Sequence, residues 1–276
     1  MTFARYIVIF VFGVFFLSSC KEDLDMNLVQ KTLFEDSALN AIDADGPWEI
    51  TVQQDERCFV ELEYSAFMES YFVVNCEGNE LDLKITTSSS LPYGTECRAI
   101  VHLNTLSKIE LSRACVMRLE GAFTGLEEVD LETASKCIGG SFTGNELEME
   151  LTDASELLDF GFEGNKVKAE LNDASVFRGQ LNPFIRIDLE IYHASVFVNY
   201  DGSSAKANVT VKNASVVNLG RTIVNEMDFT CNSASTATFN VTEWLRGSVT
   251  EGSEVFYYGN PQVDVDCDVS SSLVRL

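Results

Sequence analysis

Asp153, Asp173 and His193 are separated by equal steps of twenty residues. If successive copies of one structural unit stack, two carboxylates one unit apart stand near 5 Å. At about that separation paired acids cleave glycosidic bonds with retention. The same step relates Glu110, Asp130, Glu150, Glu170 and Glu190, whose stacked oxygens could hold Ca²⁺. It also relates a row of hydroxyls, Ser135, Ser155, Ser175, Ser195, Ser215 and Ser235. A row of serine nucleophiles would need bases to match. The chain contains no Gly-x-Ser-x-Gly elbow and only two histidines, His102 and His193, so the serines read as a structural ladder. The column holding the two aspartates runs Arg113, Thr133, Asp153, Asp173, His193, Asn213, Ser233. Asp, Asn, Ser and Thr bond to local backbone at turns, so a turn ladder outweighs an active site there. The acidic column reads first as a solvated face that keeps copies apart, and second as a metal site.

These columns exist because an Ala-Ser cassette recurs without drift. It begins with Ala114-Cys115 and returns at Ala134, Ala154, Ala174, Ala194, Ala214 and Ala234; the interval then shortens at Gly252-Ser253 and Ser270-Ser271. A fixed period of about twenty residues marks a solenoid. Before each cassette, Ile109, Val129, Met149, Ala169, Leu189, Val209 and Phe229 form one apolar column, and Leu111, Leu131, Leu151, Leu171, Ile191, Val211 and Cys231 another. The acids between them point the other way, which is strand periodicity with one buried face. Val176-Phe177, Val196-Phe197 and Val216-Val217 give a second strand after the cassette. Thr124-Gly125, Thr143-Gly144-Asn145 and Gly164-Asn165 supply turns. The reading is an all-β chain, a parallel β-helix with each strand about 4.8 Å from its copy. The cassette alanine is expected in an inward corner, with the serine stacked beside it. Residues 41–276 form one domain: 41–105 supply irregular first rungs and an N-terminal cap, and 106–276 the regular repeats. Ser270 to Leu276 make a last partial rung with little cap.

The first residues form a targeting segment. Arg5 precedes an apolar run, Tyr6 to Phe16, too short to span a bilayer. The run ends in Leu17-Ser18-Ser19-Cys20, which resembles the lipobox of bacterial lipoproteins and implies cleavage of residues 1–19 and acylation of Cys20. Lys21-Glu22-Asp23 resembles the signal that sends Bacteroidetes lipoproteins to the cell surface. Residues 20–40 are then an acylated tether, polar and weakly periodic. Asp36-Ser37-Ala38 fits a loose O-glycosylation pattern of those bacteria, and three N-glycosylation sequons have no meaning in that setting. Without residues 1–19 the chain keeps 18 basic against 43 acidic residues, a net charge of −25. Such a surface excludes nucleic acid and other polyanions as main partners. Beyond Cys20, seven cysteines show no metal spacing. Cys231 and Cys267 are expected as small buried residues, two rungs apart and beyond disulfide reach, while one pair among Cys58, Cys76 and Cys97 could bridge.

Repeats of the form Leu-x-Asp-Ala-Ser and Leu-x-Asn-Ala-Ser, the stretch from Gly252 through Tyr257-Tyr258-Gly259-Asn260-Pro261 to Val263, and the lipobox together resemble the DUF2807 family of Bacteroidetes lipoproteins. The resemblance covers roughly residues 40 to 276. It implies a right-handed β-helix and an adhesin-like role, and brings no catalytic residues. The family typically places Gly before Ala-Ser, where this chain has the column from Arg113 to Ser233. The expected function is a non-enzymatic envelope protein, lipid-anchored in the outer membrane and surface-exposed, binding a glycan or protein along its side. The alternative is a polysaccharide-cleaving β-helix using Asp153, Asp173 and His193, with Phe177, Phe197, Tyr192 and Tyr200 as sugar platforms if exposed.

Overall fold

The structure, a computed structural model, describes residues 24–35, 37–87 and 91–276. Cys20, Lys21, Glu22 and Asp23 lie outside the described residues, as does Asp36 of the glycosylation pattern. The described chain is a parallel β-solenoid of about 8 turns. Its one helical element is a 3-10 turn, Ala66–Ser70. Repeats pair in strict register: Val129 lies beside Ile109, then Met149, Ala169, Leu189, Val209 and Phe229 follow in one inward column. A second inward column carries Met117, Cys137, Leu157, Phe177, Phe197 and Val217. The core between them is dry and closely stacked. Phe123, Phe142 and Phe160 succeed each other with ring centroids 5.5 and 5.1 Å apart, and Phe177 lies 4.6 Å from Phe197. Phe177 and Phe197 are therefore core residues and offer nothing to a sugar, whereas Tyr200 is exposed.

The cassette is turned the other way from its sequence reading. Ala154 and its equivalents are exposed and Ser155 and its equivalents are buried. Two consecutive residues at this corner adopt left-handed backbone, Asp153 at φ 52° and Ala154 at φ 63°, and every repeat from Arg113-Ala114 to Ser233-Ala234 does the same. That pair turns the chain through the corner while both side chains face solvent, and the next residue is forced inward. The Ala154 amide donates to the Asp173 carbonyl at 2.8 Å, so the corners are laddered like the strands. A small side chain suits a left-handed position because a larger Cβ substituent crowds the following carbonyl. The buried serines fill the inner corner: the Ser155 amide donates to Ser175 Oγ at 3.3 Å, and the Ser175 amide to Ser195 Oγ at 3.2 Å.

The N-terminal rungs depart from chain order. Ala41–Asp45 and Glu49–Gln54 form the second rung. The strands Glu80–Ile85 and Cys97–Leu103 stack on its outer side, and Lys108–Ser112 and Val116–Thr124 on its inner side. Over the outermost rung the pairing turns antiparallel. Phe72–Glu77 covers Glu80–Ile85, Phe59–Ser65 covers Cys97–Leu103, and Leu28–Leu33 covers Phe59–Ser65. Leu28–Leu33 is thus a strand of the cap where the sequence suggested tether, and its Val29 and Leu33 pack on the core. The edge of Phe59–Ser65 gives those apolar residues a partner, which their weak periodicity did not disclose. The opposite end is bare. Gln262–Cys267 and Ser272–Arg275 close the stack with Cys267 exposed, because no rung lies beyond it. Cys58, Cys76 and Cys97 are free thiols.

A β-branched residue tolerates left-handed backbone worst. Thr133, at φ 51°, is the one such residue at the first corner position. Thr133→Gly is expected to raise unfolding free energy by about 1 kcal/mol, and Asn213→Gly by less. Denaturant titration of the two variants measures the difference.

Candidate functional site

The strand face bearing Glu110 turns its acids outward in one unbroken column. Register pairing places Glu110, Asp130, Glu150, Glu170 and Glu190 side by side on successive rungs. It also extends the column at the N-terminal end, since Asp43 pairs with Glu110 and Asp82 with Asp43. Seven carboxylates therefore stand in line, about 4.8 Å from one to the next. Sequence period alone missed Asp43 and Asp82 because their rungs lie out of chain order. A signal was present: Ile42-Asp43-Ala44 and Leu81-Asp82-Leu83 repeat the apolar-acid-apolar pattern of Ile109-Glu110-Leu111.

Lysines neutralise the N-terminal part. Lys84 reaches Asp43 at 2.8 Å and Asp82 at 3.1 Å, and Lys108 reaches Glu110 at 2.5 Å. At the other end the Tyr192 hydroxyl donates to Glu190 at 2.7 Å. Asp130 has no such partner, and its Oδ1 is buried without a hydrogen bond. Burial first, and then the neighbouring Glu132, Glu150 and Glu110, push its carboxyl up to about 6. Glu170 is raised for the same reasons, burial followed by Glu150 and Glu190. Ligand atoms of Asp43, Glu80 and Glu110 lie within 4.8 Å of one another, close enough to share a cation. Lys84 and Lys108 already occupy two of those three carboxylates.

Asp153, Asp173 and His193 emerge elsewhere, on the left-handed corner. All three are exposed on a convex edge; His193 Nδ1 lies 3.5 Å from Asp173 Oδ1 and also contacts Asn172. None of the described pockets is lined by these residues. General acid–base catalysis needs a site that holds substrate between the groups, and these three side chains stand exposed to solvent. The corner column has a structural explanation instead: it is the position whose backbone favours glycine.

The architecture is that of a repeat protein, one unit stacked on its copy. The chain belongs to the family described as putative auto-transporter adhesin, head GIN domain (DUF2807), whose model matches residues 38–261. It is similar in fold to a putative adhesin from Parabacteroides merdae ATCC 43184, at 12% identity, covering 90% of this chain and 96% of that one with a TM-score of 0.63. A putative lipid binding protein from Parabacteroides distasonis ATCC 8503 matches at 13% identity, 92% and 98% coverage and a TM-score of 0.63. A putative adhesin from the same organism gives 14%, 91% and 98%, and 0.59. Among curated proteins none matches the sequence.

Asp130 ties stability to pH. In the unfolded chain its carboxyl ionises at the ordinary aspartate value of 3.8, and in the native fold at about 6. Between those values the native state holds a proton that the unfolded state has released, so stability falls as pH rises through the window. Asp130→Asn is expected to flatten that fall and to raise unfolding free energy at neutral pH by about 1–2 kcal/mol, a figure reduced for the group's partial exposure. Thermal melts of both proteins from pH 4 to pH 7 check it.

Proposed function

We propose that this chain is a non-enzymatic, lipid-anchored envelope protein that binds a glycan or protein partner along the side of its solenoid. The observation that carries the reading is membership of an adhesin-like family across most of the chain. The exposed setting of Asp153, Asp173 and His193 supports the non-enzymatic part. Cys20 at the end of the apolar run, followed by Lys21, Glu22 and Asp23, supports acylation and transfer to the outer face of the outer membrane. No helix among the described residues is long and apolar enough to cross a membrane. The column Glu110, Asp130, Glu150, Glu170 and Glu190 is read first as a solvated face that keeps copies apart, with Ca²⁺ held by its carboxylates as the second reading. A melting temperature unmoved by millimolar Ca²⁺ and by chelator would dispose of that part.

Two measurements test the proposal. Cells labelled with a fatty acid should yield labelled protein, and Cys20→Ser should lose the label and leave the membrane fraction. The purified protein should be retained on members of a panel of host and dietary polysaccharides without releasing new reducing or unsaturated ends. New ends would overturn the non-enzymatic reading; no retention on any glycan would move the partner to protein.

A further inference from the structure

The ladder that follows the serine corner carries an outer face unlike the rest of this acidic molecule. Its two outward columns pair residue for residue. One runs Lys136, Glu156, Val176, Val196, Val216, Thr236, Glu254. The other runs Ile138, Leu158, Arg178, Val198, Asn218, Thr238, Phe256. Between Glu156 and Glu254 neither column holds a carboxylate. Six aliphatic side chains, Ile138, Leu158, Val176, Val196, Val198 and Val216, are half-buried or exposed there, Val216 at 37%. A contiguous apolar patch on a folded surface marks an interface.

The arrangement is symmetric about the rung of Val196 and Val198. Val176 and Val216 stand one rung to either side, and Lys136 and Glu254 three rungs to either side. A two-fold axis along that rung, lying in the plane of contact, sets Val196 on its own copy and Val198 on its own copy. It sets Val176 against Val216, Ile138 against Phe256, and Lys136 against Glu254 at both ends. Arg178 meets Asn218, so no like charges meet among these pairs. We propose that two copies of this chain pack face to face through this surface, as an isologous dimer with parallel strand directions. The inference goes beyond the proposed partner binding and does not depend on it.

Charge favours a second copy. The seven-carboxylate column lies on the ladder before the corner and not on this face, so the packing places no pair of acidic columns in the contact. The Lys136 ammonium, now 2.5 Å from Glu156, lies next to the position of the second copy's Glu254. Seven rungs at about 4.8 Å by four residues at about 3.3 Å give about 440 Å² per copy, below the standard size of a specific interface. The dimer is therefore weak, forming in the micromolar range.

Sedimentation of the purified protein over a concentration series should show the mass rising from that of one chain toward twice that value. Val196→Lys should hold it at one chain with an unchanged circular dichroism spectrum. Lys136→Glu and Glu254→Lys should each weaken association at low salt, and the double exchange should restore it, which a folding defect would not. Val198→Cys should form a disulfide-linked dimer in oxidised glutathione above the background set by exposed Cys267, while Thr238→Cys, facing Leu158, should not. A single-chain mass at every concentration with no cross-link of Val198→Cys would overturn the proposal, as would a dimer untouched by Val196→Lys. A monomer that loses glycan retention on Val196→Lys would equally overturn it, and give the face to a foreign ligand.

Discussion

Everything in this molecule follows from backbone pairing between each residue and its equivalent one rung away. Parallel ladders at a spacing of about 4.8 Å leave no freedom in the choice of neighbour, because a side chain must live beside the residue that occupies its own place in the next turn. For phenylalanine, valine and serine that is favourable: rings stack, branched chains mesh, and a hydroxyl accepts from the serine amide of the preceding rung. For a carboxylate it is not. The same constraint that builds the core builds the acidic column, and Asp130, without a cation or hydrogen bond, bears most of the cost.

The corner shows how register is kept. A strand alternates in and out, and a turn that merely bent it would let the phase slip. Here two left-handed residues are inserted with both side chains outward, and the buried serine that follows restarts the alternation in the same phase in every repeat. Residue identity at the first of these positions is loosely held, from Arg113 through Asp173 to Ser233, because the backbone and not the side chain makes the turn. That is why a column resembling a catalytic pair has a structural explanation as a corner.

The period made the fold legible, since apolar columns two residues apart with acids between them admit few other architectures. The acidic column from Glu110 to Glu190 was legible by the same count. The sense of the cassette was not, because period-two reasoning cannot be carried through two consecutive left-handed residues. Asp43 and Asp82 escaped because spatial order and chain order part company before residue 106. Leu28–Leu33 escaped because a cap strand is defined by the edge it covers and carries little pattern of its own. The neutral outer face needed the pairing register as well, since Ile138, Leu158 and Val198 become neighbours only across rungs.

The placement of Ala41–Asp45 and Glu49–Gln54 between two later stretches of chain has a consequence for how the molecule is made. Both neighbours of this rung come after it in sequence, the outer one ending at Leu103 and the inner one at Thr124. A chain emerging with its N-terminus leading therefore exposes these strands with nothing to pair to until their later partners, Glu80–Ile85 and Cys97–Leu103, have followed. From there each new turn finds a finished template waiting. The N-terminal end is thus the one place where the stack is closed by later chain, while every rung after it pairs with the one before.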